Sequence, residues 1–363
     1  MHGERELMTI SAEERRARIT EVVRDLGTVR VVDLAARLGI PAVTVRRDIA
    51  ALAESGRLHR SHGSVSLAPA DSGAPSAVGD SERVIGMLVP TVGSYFDEVI
   101  AGARAAAGEA GARLVLGIAP YEAGNDREQV ERLLESGVDG LLLTPNWQPG
   151  SRAEQSAWLG DLPVPAVLVE RRAAPESPGA ELDSVASDHR HGVLLALRHL
   201  AGLGHESVLL AAREDTWTAH QVRSGYAEGT RLLGLTPQPV IDLHRPGGGP
   251  ADPGAVADLI AEAAGRGIRA VLVHNDQDAI QLPPLLRARG VDVPGDVALI
   301  SYDDVFAALA APPLTAVAPP KRAVGAAALE LLLRRLAHET GLPAHHIELL
   351  PSLKIRTSCG GEG

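Results

Sequence analysis

The sequence predicts an α/β protein: two open, parallel, doubly wound sheets preceded by a small three-helix unit with a β-wing. Three observations carry this expectation. From Arg83 onward, short apolar strands alternate with amphipathic helices, the pattern of parallel sheets covered on both faces. The alternation runs twice, and "GVDGLLLTPN" and "GIRAVLVHND" both read as a strand ending in Asn just past the sheet. Residues 1–66 carry a net charge of +2 whereas the remainder carries −13. Such asymmetry points to one segment that meets a polyanion.

Composition narrows the classes. A chain of 363 residues that is 45% apolar suits two or three domains with a substantial core. No apolar run approaches the roughly 20 residues that cross a bilayer, so no membrane partner is expected. The N-terminus "MHGERELMTISAEERRARI" has no apolar signal-peptide core. Cys359 is the single cysteine, which excludes an internal disulfide and fits a reduced cytoplasm. Arginine outnumbers lysine 33 to 2, a trait of GC-rich genomes more than of function.

The elements follow in order. In "SAEERRARITEVVRDLG", Ser11 and Glu14 stand at capping-box spacing and mark a helix start. Ile19, Val22, Val23 and Leu26 share one face, and Gly27 supplies the stop. "VVDLAARLG" is a second helix with Leu34, Ala35 and Leu38 inward and Gly39 at its end. Pro41 fits the first turn of a third helix, where its missing N–H costs nothing. Val45, Ile49 and Leu52 form the inward stripe of that helix, so Arg46 and Arg47 point elsewhere. Two short helices joined by a Gly turn, the second showing Arg to solvent, read as a helix-turn-helix. "GRLHRSHGSVSL" alternates into two short strands around Ser61–Gly63, a wing. Thr44, Arg46 and Arg47 are then placed for a major groove, and Arg60 and His62 for phosphates or the minor groove. The competing interpretation is a solvated Arg-rich face, or one that binds protein.

The motif "LAARLGI…TVRRDIAALAESGRL.R.HG" resembles the winged helix of DeoR-type regulators over about residues 13–66. It departs at Arg30 and Pro41, where that family usually has Ser. The DNA-binding domain is placed at 1–66. Residues 67–82, rich in Pro, Gly, Ser and Ala, read as a linker.

In the large segment, "RVIGMLV", "ARLVLGI", "DGLLLT" and "PAVLV" are strands of a first half, and "SVLLAA", "PVIDL", "RAVLVH" and "VALISY" of a second. Two similar sheets suggest a bilobed unit with a cleft, and ligands of open parallel sheets bind beyond the carboxyl ends of the strands. Of nine aromatic residues, Tyr95, Phe96, Tyr121, Trp147, Trp217, Tyr302 and Phe306 lie in or beside the loops at those ends. Aromatic faces beside Asp, Asn and Arg suit a small polyhydroxylated ligand: rings stack on C–H surfaces while planar polar groups take paired hydroxyls.

"VLVHNDQDAI", "RARGVDVPGDVALISYDDV", "PPLTAVAPPKRAVG" and "LKIRTSCG" occur in order and resemble the effector domain of the LacI/GalR repressors. That domain is similar to periplasmic sugar-binding proteins of type I. The resemblance spans about residues 83–360 and implies two lobes. The first covers about 83–187 and 317–338; the second covers about 188–316 and 339–363. It places sugar contacts on Phe96, Arg171, Asn275 and Asp303. It also implicates Asp188, where His189 replaces the Asn of the family's Asp-Asn pair. The family's clamping Arg falls on Val222, so Arg223 takes that role only with an offset of one residue, about 100° of helix. Tyr95, Trp147 and Trp217 complete the expected ligand set.

No nucleophile elbow, P-loop or dinucleotide fingerprint is present. No cofactor is expected. The histidines 189, 191, 199 and 205 are read as structural, not as metal ligands. The expected function is a ligand-responsive repressor that binds operator DNA and senses a sugar-like effector. Because one winged helix reads few base pairs, a homodimer on a palindromic operator is expected. The alternative, a helix-turn-helix fused to a sugar-modifying enzyme such as a sugar kinase, needs a phosphate-binding loop that the sequence lacks.

Overall fold

Apolar residues recurring every three or four positions build the N-terminal unit. The computed structural model describes residues 12–26, 29–54, 58–61, 64–67, 82–121, 124–147, 153–243, 251–337 and 342–361. Helices α1 (Ala12–Leu26), α2 (Val31–Leu38) and α3 (Ala42–Glu54) meet through Ile19, Val23, Leu34, Val45, Ile49 and Leu52, none more than 3% exposed. The wing is one strand larger than predicted. β1 (Val29–Arg30) pairs antiparallel with β3 (Ser64–Leu67), which pairs with β2 (Leu58–Ser61). Val29 and Val65 are register partners, both buried, but a two-residue strand is too short for alternation to reveal. Ser11, Gly27, His62 and residues 68–81, where a helix cap, a helix stop, a DNA contact and most of the linker are expected, lie outside the described residues.

Downstream come β4 (Val84–Val89), α4 (Tyr95–Glu109), β5 (Arg113–Ile118), α5 (Asp126–Glu135), β6 (Gly140–Leu143), β7 (Ala166–Val169) and β8 (Asp183–Ser187). Then follow α6 (His189–Gly202), β9 (Leu209–Ala212), α7 (Trp217–Leu233), β10 (Ile241–Asp242), α8 (Pro253–Gly265), β11 (Ala270–His274) and α9 (Asp276–Ala279). The last are α10 (Leu282–Arg287), β12 (Ala298–Tyr302), β13 (Thr315–Ala318), α11 (Lys321–Leu336), β14 (His346–Leu349) and β15 (Ser352–Lys354).

Two compact units divide the chain: 1–145, 162–168 and 325–343, then 146–161, 169–324 and 344–363. In the first, the parallel strands run β7-β6-β4-β5. Here α11 lies on α4 at Gly325, where an added Cβ would stand 1.9 Å from the Val99 carbonyl oxygen. Only glycine permits that approach.

The second unit holds the parallel pair β14-β8 and the sheet β10-β9-β11-β12-β13-β15, parallel except for β15. Leu209, Ala211, Val271, Val273 and Leu299 face one core, and Leu210, Ala212, Leu272, Ile300 and Tyr302 the other. Burial on both faces is why these strands read as unbroken apolar runs. "PVIDL" contributes only β10, at the sheet edge. The α/β class with two mostly parallel sheets is as predicted. Among the described residues no helix is long and apolar enough to cross a membrane.

Candidate nucleic-acid interface and ligand site

The third helix turns its two arginines outward because its other face is full. Val45, Ile49 and Leu52 are buried, Arg46 and Arg47 are exposed, and Thr44 is half-buried. Asp48 fixes this orientation. It is 1% exposed, with Arg15 Nε donating to its Oδ2 at 2.5 Å and Arg16 Nε to its Oδ1 at 3.2 Å. Burial opposes the charge on Asp48, but the hydrogen bonds from Arg15 and Arg16 outweigh it and hold the carboxyl below its ordinary range. Sequence reasoning missed Asp48. Its signal was a carboxylate on the inward side of an amphipathic helix, which requires a cation. The Arg60 side chain and His62 lie outside the described residues.

In the second unit, polar groups gather at the C-terminal ends of β9, β11 and β12. Asp303 follows β12 with φ 94° and is 6% exposed. Its Oδ1 accepts no hydrogen bond, and Lys321 Nζ, 8% exposed as a residue, donates to its backbone carbonyl. Burial pushes the Asp303 carboxyl up to about 7, against the pull of Lys321. Asn275 follows β11 and caps α9, its Oδ1 accepting from the Asp278 N–H at 3.4 Å. Arg171 is 1% exposed and donates to the Glu170 carbonyl at 2.7 Å. Arg223 is occupied structurally: Nε donates to the Arg213 carbonyl at 2.8 Å, Nη2 to that of Ala212 at 2.7 Å, and the guanidinium pairs with Asp242.

A cavity of about 580 Å³ opens beside the N-terminal half of α6 and runs along α7 from Trp217 to Leu232. Asp188 and Trp217 line it, with Glu170, Arg172, His189 and Gln221. Asp188 caps α6, accepting from the His191 N–H at 2.8 Å. Trp217 meets Trp147 edge to face with centroids 6.4 Å apart, and the buried Trp147 Nε1 has no hydrogen-bond partner. Glu170, 2% exposed, accepts from the Ser187 N–H at 3.0 Å and its hydroxyl at 2.8 Å. It faces His189 Nε2 at 3.6 Å. His189 Nδ1 lies 3.2 Å from the Tyr302 hydroxyl. A polar chain thus runs from the cavity wall to the end of β12.

Of the predicted ligand residues, Asp188 and Trp217 line this cavity and Trp147 touches Trp217. Arg171, Asn275, Asp303 and Arg223 are not in its lining. Tyr95 and Phe96 begin α4 in the first unit, their rings 5.3 Å apart. Glu170 and His189 were not predicted. The visible sign was a Glu directly after the strand "PAVLV" and a His in place of Asn.

Asp303→Asn tests the electrostatics. A buried Asp whose carboxyl rises from 3.8 to about 7 on folding binds its proton more tightly when folded. Its stabilising contribution is full below about pH 4 and is lost as pH rises through about 7. His274 has the opposite sign: burial, then the charge of His189, push it from 6.5 down to about 3. Its contribution is full above 6.5 and is lost as pH falls toward 3. The variant's stability relative to wild type is therefore expected to climb between about pH 4 and 7 and to level off above. Thermal unfolding across that range measures it, and parallel profiles would refute the assignment.

Two family models match this chain: a DeoR-like helix-turn-helix domain over residues 15–69 and a periplasmic binding protein-like domain over 197–359. The HTH-type transcriptional repressor PurR of Vibrio atlanticus (strain LGP32) is 31% identical over 300 residues, 78% of this chain and 86% of that protein. The HTH-type transcriptional regulator GalR of Escherichia coli (strain K12) is 27% identical over 337 residues, 90% of this chain and 94% of that one. A periplasmic binding protein/LacI transcriptional regulator from Alkaliphilus metalliredigens QYMF, solved with D-xylulofuranose, shares the fold. Its TM-score is 0.61 at 20% identity, covering 77% of this chain and 99% of that one.

Proposed function

The chain belongs to the LacI/GalR family of ligand-responsive, DNA-binding transcriptional regulators, and from that premise we propose how it represses and what it senses. The winged helix, residues 1–66, reads operator DNA with Thr44, Arg46 and Arg47 in the major groove, and Arg60 and His62 against the backbone. The linker is 67–82, and the effector domain is 83–363 with the lobe boundaries given above. The effector is a sugar or sugar derivative. Asp188 and Trp217 contact it from the cavity, Trp147 backs Trp217, and Arg171, Asn275 and Asp303 present polar groups at the strand ends. The protein works as a cytoplasmic homodimer on a palindromic site, and as a regulator, not an enzyme.

The observation that carries the sensing half is the polar cavity lined by both Asp188 and Trp217, a lining suited to a polyhydroxylated molecule. The relative solved with D-xylulofuranose supports the sugar class. A thermal-shift screen of sugars and nucleosides tests it. A true effector at 100 times its Kd stabilises the native state by about 2.7 kcal/mol. The same effector then changes operator affinity, and operator changes effector affinity by the same factor, commonly about 5–150-fold. Stabilisation by no sugar would sink the sugar class; equal effector affinity with and without saturating operator would sink the coupling.

A further inference from the structure

The third helix exposes an apolar side chain at the centre of its polar face. Val43 is 69% exposed. Single exposed apolar residues are ordinary, so position has to decide its meaning. At 100° per residue, Arg46 stands about 60° to one side of Val43 and Arg47 about 40° to the other. Val43 also lies in the first turn of α3, the part of a recognition helix that meets base edges. Thr44, about 100° away, is half-buried on the flank. Neither residue can exchange places, because the Thr44 and Val45 N–H groups bond the Pro41 carbonyl at 2.9 and 3.1 Å and Asp48 anchors the next turn.

We propose that Val43 reads thymine, its methyl groups packing on the C5-methyl of one T·A pair per half-site. Valine has no donor or acceptor. Set against the amino, N7 or carbonyl groups of the other base edges, it would remove water and return no hydrogen bond. The thymine methyl is the apolar group the four bases display in the major groove. Arg46 and Arg47 flank that contact and supply hydrogen bonds to neighbouring bases or phosphates. The inference rests on α3 being the reading helix and adds a base preference to it.

Removing one methyl from the DNA tests it. The full-length chain selects an operator from a randomised duplex pool, and each thymine is then replaced singly by deoxyuridine. Wild type is expected to lose about fourfold at one thymine per half-site, equal to ~0.8 kcal/mol for a buried methyl. Val43→Ala should bind the thymine operator weakly to a similar degree and no longer distinguish thymine from uracil there. Val43→Thr, which keeps one methyl on the β-carbon, should fall between them, and thermal melting shows whether each variant is folded. Uracil discrimination that persists in Val43→Ala at every position, or a wild type indifferent to every replacement, overturns the proposal. The double variant Arg46→Ala/Arg47→Ala separates the premises. If it binds like wild type, α3 is not the reader. If it fails while Val43→Ala still discriminates, only the thymine contact falls.

Discussion

Arg46→Ala combined with Arg47→Ala is expected to abolish specific operator binding and to leave the rest of the protein intact. Both guanidinium groups are exposed on α3, and the helix is held by its buried stripe and by Asp48, so their removal takes nothing from the core. Removing a bidentate pair of hydrogen bonds to a base costs about 1–3 kcal/mol. The two substitutions together are expected to reduce affinity by a factor on the order of 10²–10⁴. Residual binding also becomes less sensitive to salt, since fewer phosphate-neutralising charges release fewer counterions. Melting temperature and effector affinity should match wild type, because exposed substitutions of this kind shift stability by roughly 0.5 kcal/mol or less. Filter-binding titrations at two salt concentrations measure both effects. Unchanged affinity would remove α3 from the interface.

Gly325→Ala is expected to have the opposite profile, damaging the fold and leaving Arg46 and Arg47 chemically untouched. Helix propensity alone favours the change, because Gly costs about 1 kcal/mol relative to Ala inside a helix. Packing overrules it. The new Cβ would lie 1.9 Å from the Val99 carbonyl oxygen, 2.8 Å from the Ala103 nitrogen and 2.9 Å from the Val99 carbonyl carbon. All three are backbone atoms, so no rotamer relieves the clash and α11 must move off α4. We expect a loss of about 3 kcal/mol or more, the upper range for overpacking. Gly108→Ala is the control: it lies in α4 itself, with nothing within 4 Å of its Cβ, and should be neutral or slightly stabilising. Chemical unfolding compares the two. A Gly325→Ala midpoint at or above wild type would show that the helices part without penalty.

What the sequence made legible depended on how local each feature was. The inward stripes of α1 to α3 and the doubly buried strands announce themselves by periodicity, and the strand-end rule pointed to Asn275 and Asp303. β1 escaped because two residues carry no period. Asp48 escaped because its meaning lies in Arg15 and Arg16, more than 30 residues away. The run from Glu170 through His189 to Tyr302 includes a contact between residues 113 positions apart, beyond any spacing rule. Arg223 illustrates a bond that spacing does not announce: its guanidinium donates to the carbonyls of Ala212 and Arg213 at the end of β9.

The scarcity of lysine has a practical consequence for handling and regulation. Of the two lysines in the chain, Lys321 is 8% exposed and bonded to the Asp303 carbonyl, and Lys354 is exposed on β15. Residues 1–66 contain none. Lysine acetylation therefore has no substrate in residues 1–66, and amine-coupling chemistry finds no side chain on α3 to modify. Guanidinium groups stay protonated at every physiological pH. A charge that is neither acylated nor titrated responds to its surroundings through screening, so the contribution of these arginines to binding follows ionic strength.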